Sequence, residues 1–539
     1  MLTLFPKRIA ITLTIATLAL AAAGPRASAQ QLPHVHAAGQ LGSVSFEISC
    51  KPPVQADFNR AVGLLHSFWY DEAERLFKQV SAADPDCAMA YWGEAIAGFP
   101  QINGWPQPAQ VAAAQRALAI ADKALEKTPR EAAYIRALHV FYDDYKTQDV
   151  LDHARHYADS MRAVAASYRG DLEAQVFYAL ALLAPDSQDD IALVAQRKAV
   201  AILYPLFRKH PNHPGIAHYI IHASDNPGMA PAGLEAARRY ATIAPASPHA
   251  LHMPGHIFAR LGLWQDDIRS NLASKAAAED TSGMHIGAEN RLHAMEFLEY
   301  AYLQVGQDDD ARAILAEART IKSSDVDPRY PTYFGFVQAR FVALFAIETR
   351  NWEMAAGLQP LADVPASTQV AVLLANAIAA GHRRDFQAAD RAGRSVDALM
   401  ENLAALRPGS EAATPHDEIH AWAAFARGDL KSAVALLRTI AERQEKTGKG
   451  EVELPAREML AEMYLLEGNA TEALREYQAS LNSDPNRFTA LLGAAKAAEL
   501  LGKRAVAARY YRTLVGNCAG AKGPVREDLK NARAAIGAQ

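Results

Sequence analysis

Ala461, Gly468, Ala473 and Tyr477 recur 34 positions later as Ala495, Gly502, Ala507 and Tyr511. A period of this length constrains the fold more than any single motif does. Each repeat is one supersecondary unit that cannot bury its apolar face alone, so neighbours must stack. The residue types fit two antiparallel helices per unit: small side chains allow close approach, Gly ends the first helix in a left-handed turn, and Pro stops the second, as at Asp484-Pro485. The second-helix pattern reads again at Ala73, Phe77, Val80 and Pro85, at Ala117, Ala121, Ala124 and Pro129, at Ala199, Leu203, Leu206 and Pro211, and at Gly233, Ala237, Tyr240 and Pro245. Gly306, Ala311, Leu315 and Ala318, and Gly428, Ala433, Leu437 and Ile440, match the turn and second helix of two more units. Matches spread from residue 73 to 511 leave little room for an inserted domain. Strand alternation is confined to Ser43–Ser49, read as a short extended lead-in.

The first residues have the three parts of an export signal: basic Lys7 and Arg8, an apolar run from Ile9 to Ala23, and Ala27-Ser28-Ala29 as a small-residue cleavage site. Cleavage after Ala29 and a periplasmic location are expected. The run falls short of the ~18 apolar residues of a membrane span, and no later stretch reaches that length. Net charge is −5 without long charge runs, which gives no support to nucleic-acid binding. Of the three cysteines, Cys50 and Cys87 are the plausible disulfide of an oxidising compartment, pinning the lead-in to the first hairpin, while Cys518 is left over. Isolated thiols are the alternative.

The period and small-residue pattern resemble those of tetratricopeptide-repeat proteins, over most of the mature chain. The resemblance implies an all-α, superhelical solenoid of antiparallel helix pairs. The segments His66-Ser67-Phe68-Trp69-Tyr70, Asp84 to Gly93 and His249 to Phe258 are also similar to a family of exported bacterial tetratricopeptide proteins, which brings no activity with it. The expected organisation is a signal peptide at 1–29, an extended lead-in at 30–53, N-terminal and central repeats with a His-rich groove at 54–347, and C-terminal repeats at 348–539.

Nine of the 18 histidines fall between His210 and His293. Each unit is numbered so that the turn Gly is position 15 and the final Pro is position 32. The resemblance implies that positions 2, 5, 9 and 12 of the first helix face the concave groove. Counting from Pro211 puts His218, His222 and Asp225 at 5, 9 and 12. Counting from Pro245, or back from Gly262, puts His249, His252 and His256 at 2, 5 and 9, and Gly306 puts His293 and Glu296 at 2 and 5. Three- and four-residue steps stack side chains on one helix face. Packed axes roughly 8–10 Å apart then let imidazoles from neighbouring helices converge on one ion. Asp225 or Glu296 is either a ligand or a support for a ligand ring. His416 and His420 fall at positions 3 and 7, off the groove, and read as packing or surface residues. Two alternatives stay open: the histidines hydrogen-bond one another, or they line a peptide-binding surface. Pro254 inside the second histidine helix threatens the facing argument by bending it.

The aromatic group Phe68, Trp69, Tyr70, Tyr91 and Trp92 reads as core packing rather than a ligand platform, with His66 at position 13. No HExxH, nucleophile elbow or phosphate loop occurs. Three functions follow. The first is a binding protein whose groove holds a transition metal, zinc or copper favoured by imidazole ligation. The second is a metal-dependent enzyme with an open coordination position and Glu296 or Asp225 as general base. The third is a metal-free scaffold that takes a protein or peptide in its groove.

Overall fold

The computed structural model describes residues 40–539 apart from 146–148, 185–191, 281–284, 327–331, 361–365, 405–412, 451, 523–524 and 538–539. The signal segment and the mature terminus at Gln30 lie outside the described residues. Among those described there is no β-strand, and no helix is long and apolar enough to cross a membrane. The chain is an all-α tetratricopeptide-type solenoid, in which helix pairs follow one another from Gln55–His66 with Tyr70–Ala83 to Phe488–Leu500 with Arg504–Asn517.

One turn recurs between the helices of a pair. Gly262, Gly306, Gly428, Gly468 and Gly502 take φ of +62 to +85°, the conformation that favours glycine. The amide after each bonds back five residues, as from Leu263 to Phe258 (2.8 Å), Gln307 to Tyr302 (2.9 Å) and Lys503 to Ala498 (2.9 Å), which satisfies a carbonyl at the helix end. In the first pair the same bond runs from Trp69 to Leu64 at 3.0 Å, but the residue at the turn is Phe68, φ +54°. A side chain in that region costs roughly 1–2 kcal/mol, so something must hold it there.

The small residues of the repeat pattern sit where the two helices touch: Ala73, Ala117, Ala199, Ala237, Ala311, Ala433, Ala473 and Ala507 are all buried. Pro129 departs from its expected role. The preceding helix ends at Lys123, and Pro129 opens the next one, Pro129–Tyr142, where a missing N–H costs nothing.

The lead-in is extended; its start bonds to backbone, with the Ser43 amide on the Asn212 carbonyl (2.9 Å), and among the described residues no strand pairs with the rest. Side chains take the place of a partner strand: Asn59 Oδ1 accepts from the Phe46 amide (3.0 Å), Gln55 Oε1 from Ile48 (3.1 Å) and Glu131 from Ser49 (2.7 Å). Phe46 is buried against Phe58, Trp92 and Tyr134. Cys50 is disulfide-bonded to Cys87, with Cα atoms 4.9 Å apart.

The C-terminal repeats touch the central ones directly. Trp264 Nε1 donates to the Asn486 carbonyl (2.9 Å), and Arg526 grips Asp308 together with the carbonyls of Leu303 (2.8 Å) and Glu348 (2.9 Å). The guanidinium of Arg487, fully buried, is held by Glu458 and Glu348 at 2.7–2.8 Å. Gly448, between two C-terminal helices, lies against Asn226, Pro227 and Arg260 at the rim of the histidine groove.

Candidate metal centre

Three inner helix segments carry the histidines: Pro214–Ser224, the pair Pro248–His252 and Pro254–Arg260, and His285–Gln304. His213 caps the first, its Nδ1 accepting from the Ile216 amide at 3.3 Å, and Ser247 caps the second through Ala250 at 3.3 Å. Pro254 interrupts the second helix at Met253, because proline has no N–H to continue the ladder. The break does not separate the ring nitrogens of His252 and His256, which stay 2.8 Å apart.

The six groove histidines form two adjoining triads. In one, His218 Nε2 lies 3.0 Å from His222 Nε2 and 3.1 Å from His249 Nε2. In the other, His252, His256 and His293 converge; within each triad one ring nitrogen per residue lies within 4.8 Å of the others. His249 and His252 stand on the same helix segment yet belong to different triads, their ring centroids 6.2 Å apart. His222 and His256, also from different triads, are 6.4 Å apart.

Partners behind the rings settle the tautomers. His218 Nδ1 is 2.6 Å from the carbonyl of His66, which only accepts, so Nδ1 carries the proton and Nε2 presents a lone pair. His252 Nδ1 donates in the same way to Asn271 Oδ1 (2.6 Å), and the amide Nδ2 of Asn271 is committed to Asp267 Oδ1 (2.6 Å). His256 Nδ1 donates to Asp225 Oδ2 at 2.8 Å. Burial, reinforced by neighbouring imidazoles, holds His218, His249 and His252 well below the usual histidine pKa, so these rings are neutral near pH 7. His218 Nε2 thus turns a lone pair to His222 and His249 at 3.0–3.1 Å, and the Nε2 atoms of His252 and His256 face one another at 2.8 Å. Tetrahedral metal ligation at 2.0–2.1 Å would put ligand nitrogens ~3.3 Å apart.

Neither carboxylate singled out from the sequence joins a triad. Asp225 supports: it holds His256 and accepts from Arg260 Nε at 2.9 Å. Glu296 is buried, 3.4 Å from His293 Nδ1 and 3.4 Å from Arg340. His416 and His420 lie apart from the triads, both with Nε2 on Asp397 Oδ1 (3.0 and 2.8 Å).

Other residues escaped the sequence reading. Phe68 packs on His218, His222 and His249, with centroids 4.3, 5.3 and 5.5 Å away, so the strained turn residue floors the first triad as well as packing the core. Its signal was a bulky residue at position 15, where five other units have Gly and two have Arg, Arg350 and Arg384. Asn271 comes from the outward helix Trp264–Asp280 and reaches His252 because Gly255 stands between; a Cβ there would lie 2.6 Å from Asn271 Nδ2. Gly215 serves the other side, since a Cβ would meet His66 Nδ1 at 2.5 Å. His66 itself is buried and joined to Tyr219 Oη and Glu173 at 2.8 Å, while His213 takes the second Glu173 oxygen at 2.9 Å. Burial raises the Glu173 carboxyl pKa, but His213 and His66 outweigh it and hold it below the ordinary range. A cavity of about 430 Å³, lined by Gln101, Ile102, Trp105, Leu183 and Gln196, reaches the first triad at His222.

No protein-family model matches the chain, and no curated protein does. Among solved structures, the human IFIT1 dimer with m7Gppp-AAAA is similar at 11% identity, covering 84% of this chain and 89% of that one with a TM-score of 0.36. The TPR domain of P58(IPK) is similar at 12% identity, over 90% and 99%, TM-score 0.21. Naa15/Naa10 bound to HypK-THB gives 11% identity, 90% and 91%, TM-score 0.22. Likeness at these scores carries no argument, and the tetratricopeptide assignment rests on this chain's own period, turns and helix pairs.

Proposed function

We propose that this is an exported metal-binding tetratricopeptide protein whose groove holds a transition ion on each histidine triad, zinc or copper being the ions that imidazole sets suit. The observation that carries the reading is the convergence of ring nitrogens: three in each triad lie within 4.8 Å of one another, and the rings of His218, His252 and His256 are pinned from behind by a carbonyl, an amide and a carboxylate. Such supports fix the ring and raise its basicity in metal sites. The Cys50–Cys87 bond suits an oxidising compartment and so supports export.

Elemental analysis of untagged protein purified from the periplasm tests this. Two equivalents of one transition metal per chain are expected, with loss of about one on His252→Ala at unchanged helicity. Protein that never carries metal, or a His252 variant with full content, leaves a peptide groove or a polar network in its place.

A further inference from the structure

We infer that the two triads act as one dinuclear copper centre that binds dioxygen between its ions, a step that rests on the metal reading above. Three observations lead there. The triads adjoin, with rings from different triads about as far apart (6.2 and 6.4 Å) as His222 and His249 within one (6.2 Å). Each offers three imidazole nitrogens and so leaves a coordination position open on its ion. A cavity reaches the first triad at His222, giving a small molecule a way to that side.

Charge selects the chemistry. Among the described residues no carboxylate belongs to either triad: Asp225 is shared between His256 and Arg260, and Glu296 lies between His293 and Arg340. Two zinc ions would bring four positive charges into a cluster of largely buried rings, and burying charge that is not fully compensated is costly. Two cuprous ions bring half that. When dioxygen binds, each ion gives up one electron and the molecule takes both. The O–O bond falls from double to single, a peroxide dianion bridges two cupric ions, and no proton moves. The net charge of the cluster is the same before and after, so the surroundings have nothing to reorganise. Phe68, stacked on the first triad, keeps water from one side of it.

The experiment loads full-length mature protein with Cu(I) without air, measures bound copper, and then admits dioxygen. Two copper ions per chain are expected, with one dioxygen taken up, a near-ultraviolet charge-transfer band that fades on deoxygenation, and no cupric EPR signal because the two spins couple. His293→Ala, whose side chain is 38% exposed and so puts the fold at little risk, should keep the first ion and lower the band at least about tenfold. Two bound copper ions without dioxygen uptake, or with the EPR of isolated cupric ions, overturn the dinuclear inference and leave the metal reading standing. Fewer than two copper ions in the unaltered, helical chain overturn the copper centre, and the metal reading falls with it only if natively purified protein also carries no zinc or other transition ion.

Discussion

Asn271→Ala isolates one triad from the other without touching a ligand. Asn271 is fully buried, and its Oδ1 accepts from His252 Nδ1 at 2.6 Å. Alanine leaves the Nδ1–H of a ring that is only 2% exposed without that acceptor. Losing a hydrogen bond and stranding a buried donor costs about 2 kcal/mol, which at 1.4 kcal/mol per decade is about 30-fold in metal affinity. That sits inside the 10- to 100-fold range usual for supports behind metal-bound histidines. The loss should be confined to His252, His256 and His293, because the first triad is held by the His66 carbonyl instead. Chelator competition read as two separate steps measures it, with thermal unfolding of the metal-free variant as a reference for the accompanying loss of the Asn271–Asp267 bond. Equal weakening of both steps, or of neither, would refute the assignment of Asn271 to one triad.

Three more outcomes follow from the same reasoning. Phe68→Gly relieves about 1 kcal/mol of turn strain but removes a buried aromatic worth about 3–5, so urea unfolding should show a net loss of about 2–4 kcal/mol, and a gain would show that the ring does not pack on the imidazoles. Replacing Cys50 and Cys87 by Ser opens a loop with a sequence separation of 37 and should cost about 4 kcal/mol, while free thiols in periplasmic protein by mass spectrometry would contradict the pairing. Burial between Trp352 and Trp422 pushes the His382 pKa down to about 4. The folded state thus binds the proton less readily than the unfolded chain does. The His382 contribution is full above pH ~6.5 and falls by about 3 kcal/mol as pH drops to 4, so His382→Phe should lessen the acid slope by that amount while the buried groove histidines keep theirs. An unchanged slope in that variant would place the acid sensitivity elsewhere.

The groove was legible because turn glycines mark a register. Gly262 and Gly306 fix which side chains share a face, and the counts from Pro245 and Gly262 agree. The division into two triads was not legible. His249 and His252 look alike in the register, and only their neighbours' positions send one to His218 and the other to His256. Pro254 raised a fair objection to the facing argument, which the retained spacing of His252 and His256 answers. Asn271 was hidden because it arrives from an outward helix, where the groove register says nothing. Contacts such as Arg526 with Asp308, more than 200 residues apart in sequence, leave no periodic trace at all. Phe68 is different: its place in a glycine turn was readable as an anomaly, and the physical rule about left-handed residues would have flagged it.

X-ray absorption on natively purified protein tests the central claim most directly. The account predicts a metal edge whose inner shell holds three imidazole nitrogens at about 2.0–2.1 Å, with multiple scattering from the rings and a second ion nearby. An oxygen-dominated shell, or protein that shows no metal edge when taken straight from the periplasm, would contradict it.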